Sequence, residues 1–302
     1  MNVSLRLLRA FVAASREGHV GRAAAKLYVS QPSLSQDIRR LERELGVELF
    51  DRGPKGLTLT ASGQEFLRAV ESSLTILDRG IAQAREIAVG ERPVVSIGYS
   101  PSLGNRLMPE LLPVLEREFP SITFDLIGVD TGEVAEGVTA GRFDLGLEHG
   151  GSAAPELAME SLVDEPLVVA LGTEHPLAGR DLIAVAELQG SELMIWPRDT
   201  APEYYDRIFE FCAAGGLQIE RVREFRRSMT RSYLFNEDDV FSILPLSASF
   251  LHLPGTTFVA VSDDHGTVPL ASLTRAGDER PVLRRVAELA AQIGERLISA
   301  AR

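Results

Sequence analysis

The chain has 302 residues, of which 45% are apolar, 25% charged and 6% aromatic. This length predicts two or three domains, the composition excludes global disorder, and no run of about 18 uncharged apolar residues offers a membrane span. The net charge of −12 excludes a uniformly basic nucleic-acid binder. The charge is nonetheless unevenly spread, at +4 over residues 1–60, −1 over 61–92 and −15 over 93–302. A small cationic head before a large anionic body is the pattern of a tethered nucleic-acid module. The N-terminus, with Arg6 and Arg9, lacks an apolar core and a small-residue cleavage site, so no signal peptide is expected. The single Cys212 cannot form an internal disulfide or a multi-cysteine zinc site and fits a reducing cytoplasm.

In chain order, Leu5, Leu8, Phe11 and Val12 recur at helical spacing and predict a first helix ended by Gly18. Ala23, Ala24, Ala25 and Leu27 predict a short second helix of small residues. Ser30 reads as an N-cap and Pro32 fits a first turn, so Leu34, Ile38, Leu41 and Leu45 form the buried stripe of a third helix that stops at Gly46. Two short helices joined by a tight turn describe a helix-turn-helix. Residues 49–60 read as a β-hairpin wing with Arg52 and Lys55 near its tip, and Thr60 or Ser62 caps a fourth helix. Along that helix Leu67, Val70, Leu74, Leu77, Ile81, Ala84 and Ala88 form a heptad seam, read as a dimerisation surface because nothing adjacent in sequence covers it.

Gly90–Pro93 is a short linker, and beyond it the texture turns to α/β. Strands are predicted at 94–98, 122–127, 143–147, 167–171, 193–196 and 240–244, and helices at 103–119, 134–140, 202–214 and 281–301. Strand–helix alternation implies a parallel sheet and two similar lobes. The expected division is 1–60 for the winged module, 61–89 for the linker helix, 90–93 for a hinge and 94–302 for the body. Lobe I of the body takes about 94–163 and 268–302, and lobe II about 164–267.

The stretch Ala23-Ala24-Ala25-Lys26-Leu27-Tyr28-Val29-Ser30-Gln31-Pro32-Ser33-Leu34-Ser35-Gln36-Asp37-Ile38-Arg39-Arg40-Leu41-Glu42, continued through Leu45-Gly46-Val47-Glu48-Leu49-Phe50-Asp51-Arg52 to Leu59-Thr60-Ala61-Ser62-Gly63, resembles the DNA-binding segment of LysR-type transcriptional regulators. Pro109-Glu110-Leu111-Leu112, Phe119-Pro120, Gly141-Arg142-Phe143-Asp144-Leu145, His175-Pro176-Leu177-Ala178 and Leu244-Pro245 extend the resemblance over nearly the whole chain. It implies an all-α winged helix-turn-helix with a linker helix, then an α/β body of two Rossmann-like lobes resembling a type 2 periplasmic binding protein. It also implies homodimers, tetramers formed as dimers of dimers, and contact with RNA polymerase.

Opposite the apolar stripe, the third helix offers Gln31, Pro32, Ser33, Ser35, Gln36 and Arg40 to a major groove, where Gln pairs with adenine and Ser meets several bases. The resemblance favours Gln31, Pro32, Ser35 and Gln36. Arg39, Arg40, Arg52 and Lys55 are phosphate or minor-groove candidates, although Arg39 and Arg40 have Glu42 and Glu44 as alternative partners. Asp37 either points away from the phosphates or reads a cytosine amino group. In the body, Ser100, Ser102 and Thr131 follow strand ends, where open α/β folds bind ligands. The resemblance adds the loop 197–202, with Thr200 and with Arg198 as a carboxylate clamp. Glu148 and His149 stand where the family often carries a basic residue, and Asn236–Asp239 where it usually has a Gly-rich turn. Both departures add acidity and leave open a less anionic, or cationic, effector.

No G-x-S-x-G elbow, GxGxxG turn, P-loop or paired-histidine metal spacing occurs, so no enzyme, cofactor or metal is expected. A transport-type solute receptor would share the two lobes but not the helical head. The sequence therefore predicts a cytoplasmic regulator that binds double-stranded DNA and a small effector.

Overall fold

The computed structural model describes residues 3–53, 56–88, 92–151, 154–225, 239–262 and 266–301. The chain divides into two compact units, Met1–Ala82 and Gln83–Arg302. Lys55 and the linker residues up to Glu91 lie outside the described residues, as does most of the 236–239 turn.

The first unit contains α1 (Leu5–Glu17), α2 (Val20–Lys26), α3 (Gln31–Leu45), the hairpin β1 (Phe50–Gly53) and β2 (Gly56–Leu59), and most of α4 (Ala61–Ala88). Local chemistry sets its boundaries. Gly18 and Gly46 end α1 and α3 at φ 57° and 73°, where a Cβ would be strained. The Ser30 hydroxyl accepts from the Ser33 N–H at 3.3 Å, and the Thr60 hydroxyl accepts from the Gly63 N–H at 2.9 Å. The cap of α2 is one the sequence did not suggest, the His19 ring, whose Nδ1 accepts from the Gly21 N–H at 3.0 Å. Leu34, Ile38 and Leu41 are buried with Ala23 and Ala24, and the Phe11 ring centroid sits 5.3 Å from those of both Phe50 and Phe66.

The α4 seam divides in two. Leu67, Val70 and Leu74 pack into this unit's own core, because α1 lies alongside and is clipped to α4 by Arg9–Asp78 (2.9 Å) and Arg16–Glu71 (2.8 Å). Leu77 is half-buried, and Ile81 and Ala84 are exposed. Only the second half of the heptad run is therefore open to a partner. Spacing along one helix could not separate the halves, since the covering helix comes from 60 residues upstream.

The second unit is a mixed sheet between helices, and not the parallel sheet that the alternation implied. Its elements are β3 (Val94–Tyr99), α5 (Leu107–Glu118), β4 (Thr123–Gly128), α6 (Glu133–Thr139), β5 (Leu145–His149), β6 (Leu157–Gly172), β7 (Leu182–Ile183), β8 (Glu192–Ile195), α7 (Pro202–Ala214), β9 (Val222–Glu224), β10 (Val240–Pro245), β11 (Thr256–Val261), β12 (Thr267–Arg275) and α8 (Pro281–Ala301). The strand order is β4-β3-β5-β12-β6-β10-β8-β9, with β11 also on β6. β3 pairs with β4 and β5 in parallel, as β8 does with β9 and β10, whereas β12 and β6 run antiparallel to their partners in this order. The α5 helix starts at Leu107, four residues later than expected, because Pro101–Leu103 forms a separate turn of 3₁₀ helix.

The joining element is β6. Its residues 157–166 pair with β12, and from Leu167 onward it pairs with β10 and β11. One strand thus serves two lobes. The core of one gathers Ile97, Leu111, Leu145, Val286 and Leu289, and that of the other Val169, Leu171, Ile208, Phe241 and Ile243. Cys212 is buried in the second core, where burial pushes its thiol up to about 12. Among the described residues no helix is long and apolar enough to cross a membrane.

Gly63 tests the packing of the first unit. A Cβ placed there would fall 2.1 Å from the Leu49 carbonyl oxygen, a backbone atom held by its own hydrogen bond from the Thr60 N–H. Gly63→Ala is expected to destabilise this unit by about 1–3 kcal/mol, the usual cost of overpacking, and a urea titration followed by circular dichroism would measure it.

Candidate functional sites

The outer face of α3 carries Gln31, Pro32, Gln36, Arg39 and Arg40 exposed, and Ser33 and Ser35 half-exposed. Asp37 is on the other side, buried, with its carboxylate 2.8 Å from Arg6, so it points away from any phosphate. The basic side chains fall into two groups. Arg6, Arg9, Arg16, Arg22 and Lys26 are paired with carboxylates. Among the described residues neither Glu42, Glu44 nor any other carboxylate pairs with Arg39 or Arg40. Glu42 is engaged elsewhere, accepting the Leu49 and Phe50 N–H groups at 3.1 and 3.3 Å. Arg52 lies in β1 and its side chain, like Lys55, lies outside the described residues. The sequence reading missed Tyr28, which is 97% exposed in the turn between α2 and α3 at φ 56°. That left-handed backbone is held by the Tyr28 and Val29 N–H groups, which donate to Ala25 and Ala24 at 3.2 and 3.0 Å.

The second site is a cleft of about 730 Å³, part of it open to solvent, at the carboxyl ends of β3, β4, β5, β8 and β10. It brings together Ser100, Ser102, Thr131, His149 and Thr200, and adds Glu148, Trp196, Glu203 and Tyr204. The two walls touch where Gly132 meets Thr200. A Cβ on Gly132 would lie 2.6 Å from the Thr200 methyl, and its φ of 89° favours glycine as well. Arg198 is not brought in. Its guanidinium forks onto Asp206, one turn into α7, with both bonds at 2.7 Å, and that pairing raises Arg198 and lowers Asp206.

A polar chain runs back from the cleft. The Ser100 and Ser102 hydroxyls are 3.5 Å apart, Ser102 Oγ is 3.3 Å from His149 Nδ1, and His149 Nε2 is 2.7 Å from Glu165 Oε2. Glu165 also accepts the Ser247 N–H. Burial works to raise the Glu165 carboxyl, but the His149 charge and the hydrogen bonds from His149 and Ser247 outweigh it and hold the group below its ordinary value. As a carboxylate it accepts, so His149 Nε2 donates. Glu165, missed by the sequence reading, sits mid-strand in β6 with no motif around it.

Glu148 lies at the end of β5, buried, and among the described residues no hydrogen bond holds its carboxyl. Burial first, and the Glu203 charge second, push it up from 4.5 to about 7. Tyr204 is buried and donates to the Ile243 carbonyl at 2.8 Å. Trp196 packs edge-on against Tyr204 at 6.0 Å, so these rings form a wall of the cleft and not a separate cage. Among the described residues no cluster of His, Cys, Asp and Glu is arranged for a metal ion.

A helix-turn-helix unit with an open polar helix, and a two-lobed α/β unit with a cleft at its strand ends, define the class: a DNA-binding regulator with a ligand-sensing body. Comparison with known proteins agrees. The model for the LysR substrate binding domain matches residues 88–294, and that for the bacterial regulatory helix-turn-helix protein of the lysR family matches residues 5–64. The chain therefore belongs to the LysR family of transcriptional regulators, and it is a regulator and not an enzyme. It is 30% identical over 295 residues to the HTH-type transcriptional regulator CatR of Pseudomonas putida, covering 97% of this chain and 100% of the relative. It is 31% identical over 222 residues to AlsR of Bacillus subtilis, covering 74% of each. The crystal structure of CbnR, a LysR family regulator, is similar at 26% identity and a TM-score of 0.73, covering 96% of this chain and 99% of that one. CbnR complexed with its target DNA is similar at a TM-score of 0.72.

Glu148 sets a pH dependence. The folded chain holds the Glu148 proton more tightly than the unfolded chain, so between about pH 4.5 and 7 stability falls as pH rises. Above that window the buried carboxylate costs about 3 kcal/mol. Glu148→Gln is expected to match the parent at pH 5 and to exceed its stability by an amount of that order at pH 8. Denaturant titrations of both proteins at the two pH values measure this, and an equal difference at both would contradict it.

Proposed function

We propose that α3 enters the major groove with Gln31, Pro32, Ser33, Ser35 and Gln36 facing base edges, while Arg39 and Arg40 take phosphates and Arg52 and Lys55 extend the contact from the wing. The observation that carries this reading is the division among the basic side chains: those around the first helices are paired with carboxylates, and Arg39 and Arg40 on the outer face of α3 have no carboxylate partner among the described residues. Exposed cations beside exposed amides and hydroxyls suit a polyanion whose bases are read by hydrogen bonds. The solved complex of CbnR with its target DNA supports this use of the fold.

In the same reading, residues 1–60 are the DNA module, 61–89 the linker helix, 90–93 the hinge and 94–302 the effector body. Within that body, lobe I takes about 94–163 and 268–302, and lobe II about 164–267. Two chains pair through the outer half of α4, where Ile81 and Ala84 are open, and dimers associate into tetramers. Effector entering the cleft favours one angle between the lobes, which shifts the population of DNA-bound arrangements and the contact with RNA polymerase. The protein works in the cytoplasm, where its DNA target is.

Gln31→Ala and Gln36→Ala are each expected to weaken binding to a duplex from upstream of the gene by about 1–3 kcal/mol while thermal stability is unchanged. Fluorescence anisotropy measures this, and undiminished affinity in both variants removes α3 from the groove. Arg40→Ala is expected to lower the slope of log K against log salt by about one and to weaken all sequences alike. Ile81→Glu is expected to dissociate the dimer in sedimentation velocity and leave the helix content intact.

A further inference from the structure

The turn between α2 and α3 closes α2 with a residue type that the backbone there disfavours. The Tyr28 N–H donates to the Ala25 carbonyl at 3.2 Å and the Val29 N–H to the Ala24 carbonyl at 3.0 Å, the paired bonds of a helix end that passes into a left-handed residue. That residue is Tyr28, at φ 56°. Glycine, or sometimes asparagine, normally takes this place, because a Cβ crowds the backbone there. Gly18 and Gly46 take it at the ends of α1 and α3, and among the described residues Tyr28 is the only non-glycine with a positive φ. The strain serves no packing. Tyr28 is 97% exposed, and its hydroxyl has no hydrogen-bond partner among the described residues. A large aromatic side chain held on a strained backbone, and packed against nothing in its own fold, points to a contact outside it. Residues 28–32 are exposed without a break, so Tyr28 is joined to Gln31 and Pro32 at the N-terminal end of α3, the end that meets base edges in helix-turn-helix proteins. The cations that precede the turn, Arg22 and Lys26, are both paired with Glu17. What the turn itself offers a duplex is therefore a neutral donor on a flat ring.

We propose that Tyr28 is a DNA-contacting residue, its hydroxyl donating to a backbone phosphate beside the groove that α3 enters and its ring lying along the adjoining deoxyribose. Tyrosine hydroxyls are among the neutral groups that fix a protein's register on a duplex through phosphate oxygens. The contact carries no charge, so it adds affinity without releasing a counterion, and in this it differs from Arg39 and Arg40. The proposal rests on the reading of α3 as the groove helix, and a Gln31→Ala control separates the two.

Within the whole chain, Tyr28→Phe, Tyr28→Gly and Gln31→Ala are compared with the parent by fluorescence anisotropy on a duplex from upstream of the gene over a range of salt, by thermal unfolding and by sedimentation velocity. Tyr28→Phe is expected to weaken binding by about tenfold, the usual scale for a hydrogen bond to a charged group, and Tyr28→Gly by more. The slope of log K against log salt is expected to stay unchanged in both. Tyr28→Gly is expected to unfold about 2–4 °C above the parent, since glycine relieves the left-handed strain. A variant that is more stable and binds DNA less well marks a residue kept for the contact and not for the fold. Tyr28→Phe at parental affinity overturns the phosphate bond. A lower melting temperature in Tyr28→Gly overturns the proposal too and returns the residue to the fold. A binding loss that accompanies dissociation in sedimentation overturns it and gives Tyr28 to a second copy of the chain. Where Gln31→Ala weakens binding and neither tyrosine variant does, α3 keeps the groove and the Tyr28 contact falls. Where none of the three weakens binding, both fall.

Discussion

The rule that every buried peptide group needs a partner governs the second unit through one strand. Over its sixteen residues β6 gives its first hydrogen bonds to β12 and its last to β10 and β11. Neither lobe can complete its sheet without it, so the two lobes cannot separate. The pairing changes hands at Pro166 and Leu167. Pro166 has no N–H to give, yet the strand runs on, with Pro166 opposite Thr267 and the Leu167 N–H donating to the Gly266 carbonyl at 2.8 Å.

The polar chain behind the cleft is anchored on the same strand. Glu165 immediately precedes Pro166 and is tied to both sides, to His149 at the end of β5 and to the Ser247 N–H after β10. Hydrogen bonds thus run without a gap from the Ser100–Ser102–His149 array in the cleft to the strand that the two lobes share. A ligand that draws on Ser102 competes with a hydrogen bond to His149, whose ring is held in turn by Glu165 of β6.

The helical head was legible because its signals are local. Gly18, Ser30, Pro32 and Gly46 punctuate the chain next to the helices they bound, and Leu34, Ile38 and Leu41 mark a stripe within three turns. Two features escaped for physical reasons. His19 caps α2 with a ring nitrogen, outside the usual set of capping side chains, and Tyr28 occupies a backbone region that its residue type rarely enters. The first ten residues of β6 were not legible, since Glu160, Asp164, Glu165 and Pro166 read as a polar connection and the partner that makes them a strand is about 100 residues away. In the cleft, Ser100, Ser102 and Thr131 came from the rule about strand ends. His149 was noted beside Glu148 as a departure from the family pattern, and Thr200 came from the resemblance alone. Arg198 could not be placed, because its partner Asp206 lies eight residues on, across a loop and the first turn of α7. Glu148 was visible as an added acidic residue, but its solitude is a property of the folded surroundings.

The single sulfhydryl carries a last implication. With its acidity suppressed to about 12, Cys212 is almost wholly un-ionised at neutral pH, and only the thiolate attacks disulfides and alkylating reagents. The thiol is also fully enclosed, so peroxide or a maleimide reacts with it slowly while the second lobe is intact. Opening of the lobe speeds the reaction, so the labelling rate at this one atom reports breathing in the lobe's interior with no cysteine introduced.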